Sequence, residues 1–143
     1  MLFGASTAFA AEPGRILSNS EDWKDVYSVL QYGVLTGKTA SFLVSDRHAT
    51  LILGQISKNN HIWTISSKTV PYVVGYKNLI EGKGYTAEEF EYENVNLGLA
   101  ELLNEVSSFI VIDDSYGYNA ISVAPYAAMT NSYVLFADRN NIN

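Results

Sequence analysis

Phe109-Ile110-Val111-Ile112-Asp113-Asp114-Ser115-Tyr116-Gly117-Tyr118-Asn119 is the stretch from which this chain is best read. Four apolar residues in a row open directly into a polar turn that contains a glycine. That pattern predicts a short strand buried on both faces, ending in a loop. Residues 120–130 follow, rich in alanine and carrying Ile121, Val123 and Met129, and read as a helix. Pro125 has to sit in the first turn of that helix or kink it. Tyr133-Val134-Leu135-Phe136-Ala137 is a second strand, closed by Asp138-Arg139. The whole is a strand, crossover helix and strand, and ligands of α/β proteins bind at the loops where such strands end.

Working outward, an earlier version of the same unit is found by laying Ile16 over Val111. Ser20 then falls on Ser115, Trp23 on Tyr118 and Val26 on Ile121. With a gap of three residues, Asp46-Arg47 falls on Asp138-Arg139, so both units end in a small residue followed by Asp-Arg. The alternative is that any two strand-helix-strand units look alike.

Between the two units the pattern continues. Residues 15–17 form a strand, Ser20 is the expected N-cap of a helix with Glu21 and Asp22 in its first turn, and Gly37 stops that helix. Residues 40–45 are a second strand, Asp46-Arg47-His48 opens a helical run, and His61-Ile62-Trp63-Thr64-Ile65 is a third strand. Residues 71–80 read as a helix. Glu88-Glu89-Phe90-Glu91-Tyr92, if a strand, belongs at an edge, where charge discourages further pairing. Residues 95–106 are a helix with Leu99, Leu102 and Leu103 on one face. The expected fold class is α/β: a three-layer α/β/α domain with a mostly parallel sheet of about six strands built from strand-helix-strand units.

At 143 residues the chain is one domain by size. Hydrophobic residues make up 48% and charged residues 17%, a balance that folds. A net charge of −6 argues against nucleic acid or an anionic membrane as partner, since both need a basic surface. The absence of cysteine removes disulfides, thiol catalysis and thiolate metal sites.

Residues 1–11 are apolar with small residues, and Ala8-Phe9-Ala10 has the form of a signal-peptidase site without the charged leader before it. This reads as a signal-peptide remnant followed by a single cell-surface domain at 12–143; a disordered start to a cytoplasmic protein is the alternative. The segment is too short to span a membrane. The polar tail at 138–143 has no helix after it, which suggests the first domain of a longer chain; a naturally short protein with a frayed end is the alternative.

The loops at the strand ends carry the candidate chemistry. They hold Ser18, Asn19 and Ser20; Asp46, Arg47 and His48; Ser66, Ser67 and Lys68; and Asp113, Asp114 and Ser115. Such a set suits a sugar or a cation, and each residue is also a good helix cap or turn former. Tyr116 and Tyr118 flank Gly117, where their rings either stack on the apolar faces of sugars or pack on the helix start. No phosphate loop or dinucleotide fingerprint is present. His48 and His61 lie on different elements without metal-ligand spacing. A triad of Ser115, His48 and Asp114 can be drawn on paper, with no nucleophile elbow to support it. The motifs call for no cofactor or metal and name no catalytic residue.

Ile112-Asp113-Asp114-Ser115-Tyr116-Gly117-Tyr118-Asn119-Ala120-Ile121-Ser122-Val123-Ala124-Pro125-Tyr126-Ala127-Ala128, with an apolar strand after it, resembles the core of the cell wall-binding repeat 2 family. The likeness covers the end of the chain well and 20–45 loosely. Asn119 stands where that family usually has Asp and Tyr126 where it often has Leu, and the family's Arg-Tyr-x-Thr-Ala opening is missing, so the chain looks like a divergent relative. The resemblance implies a three-layer α/β domain that is extracellular and non-enzymatic, attached to cell-wall or envelope polymer or to neighbouring surface-layer subunits. Asp113, Asp114, Ser115, Tyr116, Tyr118 and Asn119 are the expected polymer-binding residues, with Ser20, Asp46 and Arg47 as secondary candidates. The competing expectation is a secreted protein that binds, or hydrolyses, a small sugar-like ligand at the same loops.

Overall fold

The computed structural model describes residues 11–137. The chain alternates β1 (Arg15–Asn19), α1 (Trp23–Thr36), β2 (Ala40–Phe42), α2 (His48–Leu51), β3 (His61–Ser67), α3 (Tyr76–Gly82), β4 (Thr86–Tyr92), α4 (Val95–Leu102), β5 (Ser108–Asp113), α5 (Gly117–Met129) and β6 (Ser132–Ala137). A 3-10 turn, Ile52–Gln55, extends α2. The fold is three-layer α/β/α with six parallel strands in strand-helix-strand units, as the sequence predicts. Its backbone ladder divides them into a four-stranded sheet, in the order β2-β1-β3-β4, and a two-stranded sheet of β5 and β6.

Alternation along β1 and β3 fills both faces of the larger sheet. Leu17 and Ile62 point to one side, where they meet Leu43, Leu53, Tyr76 and Ile80 from the α2 and α3 layer. Ile16 and Ile65 point to the other and pack with Val29, Tyr32, Val95 and Leu99 from α1 and α4. Tyr133 of β6 joins this second cluster, so the β5-α5-β6 unit is seated on the α1 and α4 layer.

The seat is made by two side-chain amides. Gln31 on α1 accepts from Val134 N and donates to Val134 O, both at 2.9 Å. Asn96 on α4 donates to Val134 O at 2.9 Å and accepts from Phe136 N at 3.1 Å. A strand edge that has no strand beside it is thus satisfied by helix side chains, as a buried backbone edge requires. Phe136 adds edge-to-face contacts with Trp23 and Tyr27.

Several local expectations are corrected. Ser20 is not the N-cap of α1: its Oγ accepts from Asp22 N and donates to Asp25, while Asp22, in extended conformation, accepts from Lys24 N at 2.8 Å. Gly37 ends α1 at a φ of 66°, the left-handed conformation glycine tolerates. The helix expected from residue 71 begins only at Tyr76, because the Asn19 side chain bonds both Val73 O and Val73 N and holds that segment out of a helix. Helix α4 stops at Leu102; Leu103 is already extended.

Strand β5 is not buried on both faces: Phe109 is 51% and Val111 63% exposed, because β5 lies at the open side of a two-stranded sheet. Pro125 lies in the interior of α5, not in its first turn. Charged β4 is an edge strand, as predicted.

The two strand-helix-strand units share one spacing. Ile16 faces Ala40 and Ser108 faces Ser132, a separation of 24 residues in each. Asn19 ends β1 four residues before Trp23 opens α1, and Asp113 ends β5 four residues before Gly117 opens α5. The sheet register therefore lays Ile16 over Ile110 with no gap, in place of the sequence alignment of Ile16 with Val111 and a gap of three. Asp46-Arg47 lies in the turn beyond β2, and Asp138-Arg139 lies outside the described residues, as do residues 1–10 of the expected signal remnant and the rest of the polar tail.

Candidate functional site

Parallel strands all end on the same side, and the helices that follow begin there. In this chain the ends of β3, β4, β5 and β6 and the first turns of α1 and α4 enclose a polar cleft of about 180 Å³. Asp22, Lys24 and Asp25 come from the first turn of α1, Ser67 and Thr69 from the end of β3, and Glu93, Asn94 and Asn96 from the β4 to α4 turn. Asp114 and Phe136 complete it.

Among the described residues Lys24 is the one cation lining the cleft. Its Nζ lies 3.0 Å from Asp114 Oδ2 and 3.8 Å from Asp22 Oδ2. The hydrogen bond to Asp114, reinforced by the charge of Asp22, holds the ammonium pKa above its ordinary value. Because Asp114 stands at the end of β5 and Lys24 on α1, this pair also latches the two sheets together across the cleft.

Asp25 differs from its neighbours. Burial raises its carboxyl above the ordinary carboxylate range, with a further push from Asp22, while hydrogen bonds from Ser20 and Ser67 oppose the shift. A carboxyl whose native pKa is raised binds its proton more tightly folded than unfolded. Its contribution is therefore most favourable at acid pH and is lost as pH rises from about the ordinary value of 3.8 through the raised native one. Asp25→Asn is expected to become progressively more stable relative to the parent as pH goes from 4 to 7. Urea denaturation of both proteins at the two pH values measures this, and an equal gap at both rules it out.

The remaining groups are mostly spoken for by the fold. Asn96 is buried and spends its amide on Ser28, Val134 and Phe136, and Asn94 Oδ1 caps α4 through Leu97 N. Ser67 Oγ organises the following turn through Thr69 and Val70. Carboxylate oxygens of Asp22, Asp25, Glu93 and Asp114 are left as the main acceptors facing the cleft, with the Phe136 ring as its apolar wall.

The residues singled out from sequence distribute unevenly. Asp114 lines the cleft. Ser20 stands behind it as the hydroxyl that holds Asp25. Asp113 accepts from Ser115 N and shapes the turn; Asp113 and Ser115 are exposed. Tyr116 and Tyr118 do not pack on the helix start: they are exposed and stack on one another, with centroids 5.3 Å apart and planes at 18°. Asn119 does not line the cleft; its backbone N–H donates to Tyr116 O in the first turn of α5. Asp46 and Arg47 are exposed in the turn between β2 and α2, at the far edge of the larger sheet from β4, and do not line the cleft. His48, on α2, lies among residues beside β2 and does not line it with Asp114. Sequence reasoning missed Asp22, Lys24, Asp25, Glu93, Asn94, Asn96 and Phe136, because they come together only when α1 and α4 are placed side by side.

A second cavity of about 240 Å³ lies between α1 and α5, lined by Leu30, Val34, Ala124, Ala127 and neighbours. It is the gap left where small side chains of α5 face aliphatic ones of α1, and it offers few polar groups to orient a ligand. Among the described residues no group of three or more acidic or histidine side chains is placed to hold a metal ion, and no helix is long and apolar enough to cross a membrane.

Comparison with protein families, characterised proteins and solved structures finds no match to this chain.

Proposed function

We propose that the domain is a binding module for a neutral or amino-bearing sugar-like ligand, taken up at the strand-end cleft without a chemical step. The observation that carries this reading is the lining by the described residues: four carboxylates, Asp22, Asp25, Glu93 and Asp114, against one ammonium, that of Lys24, with an aromatic wall at Phe136. Carboxylates accept hydrogen bonds from vicinal hydroxyls, and a ring face covers the apolar side of a pyranose. Anionic ligands meet like charge, so uronic and phosphorylated sugars are disfavoured. At about 180 Å³ the cleft is smaller than the roughly 300–1,000 Å³ of sites that enclose drug-sized ligands, which suits one sugar unit.

The stacked Tyr116 and Tyr118 rings support an extension of this reading to a polymer. They stand exposed just beyond Asp114 in the chain, and an envelope glycan entering the cleft by one residue has a flat apolar platform there for the next. This is the form in which a role at the cell surface, suggested by the wall-binding resemblance, is retained. A free monosaccharide has no use for the platform.

Titration calorimetry with neutral, amino and uronic sugars, beside co-sedimentation with envelopes stripped of their own surface protein, tests both. Neutral or amino sugars are expected to bind, and Asp114→Ala to weaken them about tenfold or more, the loss of one charge-assisted hydrogen bond. Tyr116→Ala leaves the monosaccharide affinity intact and reduces envelope binding. Failure of every neutral and amino sugar, or equal binding by Asp114→Ala, would falsify the cleft as the site.

A further inference from the structure

Among the described residues, four strand edges face away from a neighbouring strand, and three of them are blocked. Edge strand β4 carries Glu88, Glu89 and Glu91, and this charge resists further pairing. Strand β2 is three residues long. The outer edge of β6 is filled by the Gln31 and Asn96 amides. Among the described residues strand β5 has none of these protections. Ser108–Asp113 is uncharged until its last residue, contains no proline, and leaves Phe109 and Val111 half or more exposed. Its equivalent in the first unit, β1, is covered on both sides, by β2 and by β3.

Orientation of the free groups follows from the ladder. Val134 and Phe136 direct their backbone toward α1 and α4, and Asp114 N donates to Ala137 O, so the even-numbered residues of β5 face β6. The N–H and C=O groups of Phe109 and Val111 therefore face outward.

We infer that the β5 edge is a self-association surface, on which β5 of a second copy of this chain pairs antiparallel across a two-fold axis. Self-complementarity selects this occupant: the two outward residues, Phe109 and Val111, meet one another when a second β5 runs antiparallel, and charge fixes where two copies can meet. The protein carries −6 overall, so two copies repel except where they meet through an uncharged face. Residues 106–137 supply that face, with Asp113 and Asp114 as their only charged side chains. Only one register satisfies the outward groups with the two Asp113 side chains well apart. In it Phe109 lies opposite Val111 of the second copy and exchanges both backbone bonds with it, an aromatic and β-branched pairing, while Ile110 meets its own counterpart on the axis. The joined sheet runs β6-β5-β5-β6, and the interface is isologous.

The test uses the full chain. Sedimentation velocity from about 1 µM to 1 mM is expected to show conversion from monomer to dimer. Val111→Pro removes one outward N–H without touching the β6 ladder, and Val111→Lys adds a charge at the edge; each is expected to keep the circular dichroism spectrum and remain monomeric. The register has its own readout, since the chain has no cysteine. Opposed residues in a non-hydrogen-bonded antiparallel pair have Cα atoms about 4.5 Å apart, within disulfide range. Ile110→Cys is expected to cross-link on mild oxidation at least tenfold faster than Thr50→Cys on exposed α2. A monomer at every concentration overturns the inference, including one that captures a strand from a different protein. So does a dimer that survives both Val111 substitutions and cross-links Ile110→Cys no faster than the control.

Discussion

Asn96→Ala is expected to cost about 2–4 kcal/mol and to release the β5-α5-β6 unit before the rest of the domain unfolds. The side chain is 4% exposed and belongs to α4, yet most of its bonds are made to β6. Truncation leaves Phe136 N without its acceptor, removes one of the two donors to Val134 O, and takes a partner from Ser28 Oγ. Each buried group deprived of its partner costs about 1–3 kcal/mol, and Gln31 limits the loss by keeping its own bonds to Val134. The bond from Tyr133 OH to the backbone carbonyl of residue 96, 2.9 Å long, survives the substitution. The lesion is therefore local to the joint. Urea unfolding followed by far-ultraviolet circular dichroism should lose its single sharp transition, and brief proteolysis should cut within 108–137 while the four-stranded sheet resists. A variant with the parent's protease pattern and a loss below about 1 kcal/mol would show that the seat is held by packing alone.

That joint was not legible in the sequence. The order of strands and helices could be read from hydrophobic periodicity, and Gly37, the charged β4 and the apolar β5 and β6 were each assigned from a few adjacent residues. The split of the ladder was not, because it depends on Gln31 and Asn96, two amides that look like surface residues of amphipathic helices until β6 is laid across them. Val111 was misjudged for a related reason. A short apolar run reads the same whether its outer edge is covered by a strand or left open. At the cleft, Asp114, and Ser20 behind it, are legible as loop residues because strand-end loops are adjacent in sequence to the strands that announce them. Asp22 reads as a helix-start residue, which it is; its second role, and any role for Asp25, emerges only where α1 meets the β4 to α4 turn. Asp46 and Arg47 do not line this cleft: β2 ends at Phe42, three residues before the end of the strand expected at 40–45, and the turn that holds them lies at the other side of the sheet.

Tyr76→Ala is expected to be the most damaging single substitution, at about 4–5 kcal/mol, and to act in the opposite manner from Asn96→Ala. Tyr76 is fully buried in the cluster beneath the larger sheet, among Leu17, Ile62 and Ile80, and its hydroxyl donates to Ala49 O at 2.7 Å. Burial pushes the phenol pKa well up, so the group stays a neutral donor throughout the physiological range. Removing the ring opens a cavity against α2 and α3 and leaves the Ala49 carbonyl unpaired. Tyr76→Phe separates these effects, since it keeps the ring and gives up only the hydrogen bond, at about 1 kcal/mol. Domains of this size hold only about 5–15 kcal/mol in all, so the alanine variant retains a small remainder. Its unfolding should nevertheless stay a single transition. The β5-α5-β6 unit has no seat once β1 and β3 no longer hold α1 and α4 in place, so damage to the lower core cannot be confined there, whereas damage at the seat can. Thermal unfolding of the two variants monitored at both the far- and near-ultraviolet bands distinguishes the cases: coincident curves for Tyr76→Ala, separated curves for Asn96→Ala. Separated curves for Tyr76→Ala would mean that the two sheets fold independently and that the amide seat couples them only weakly.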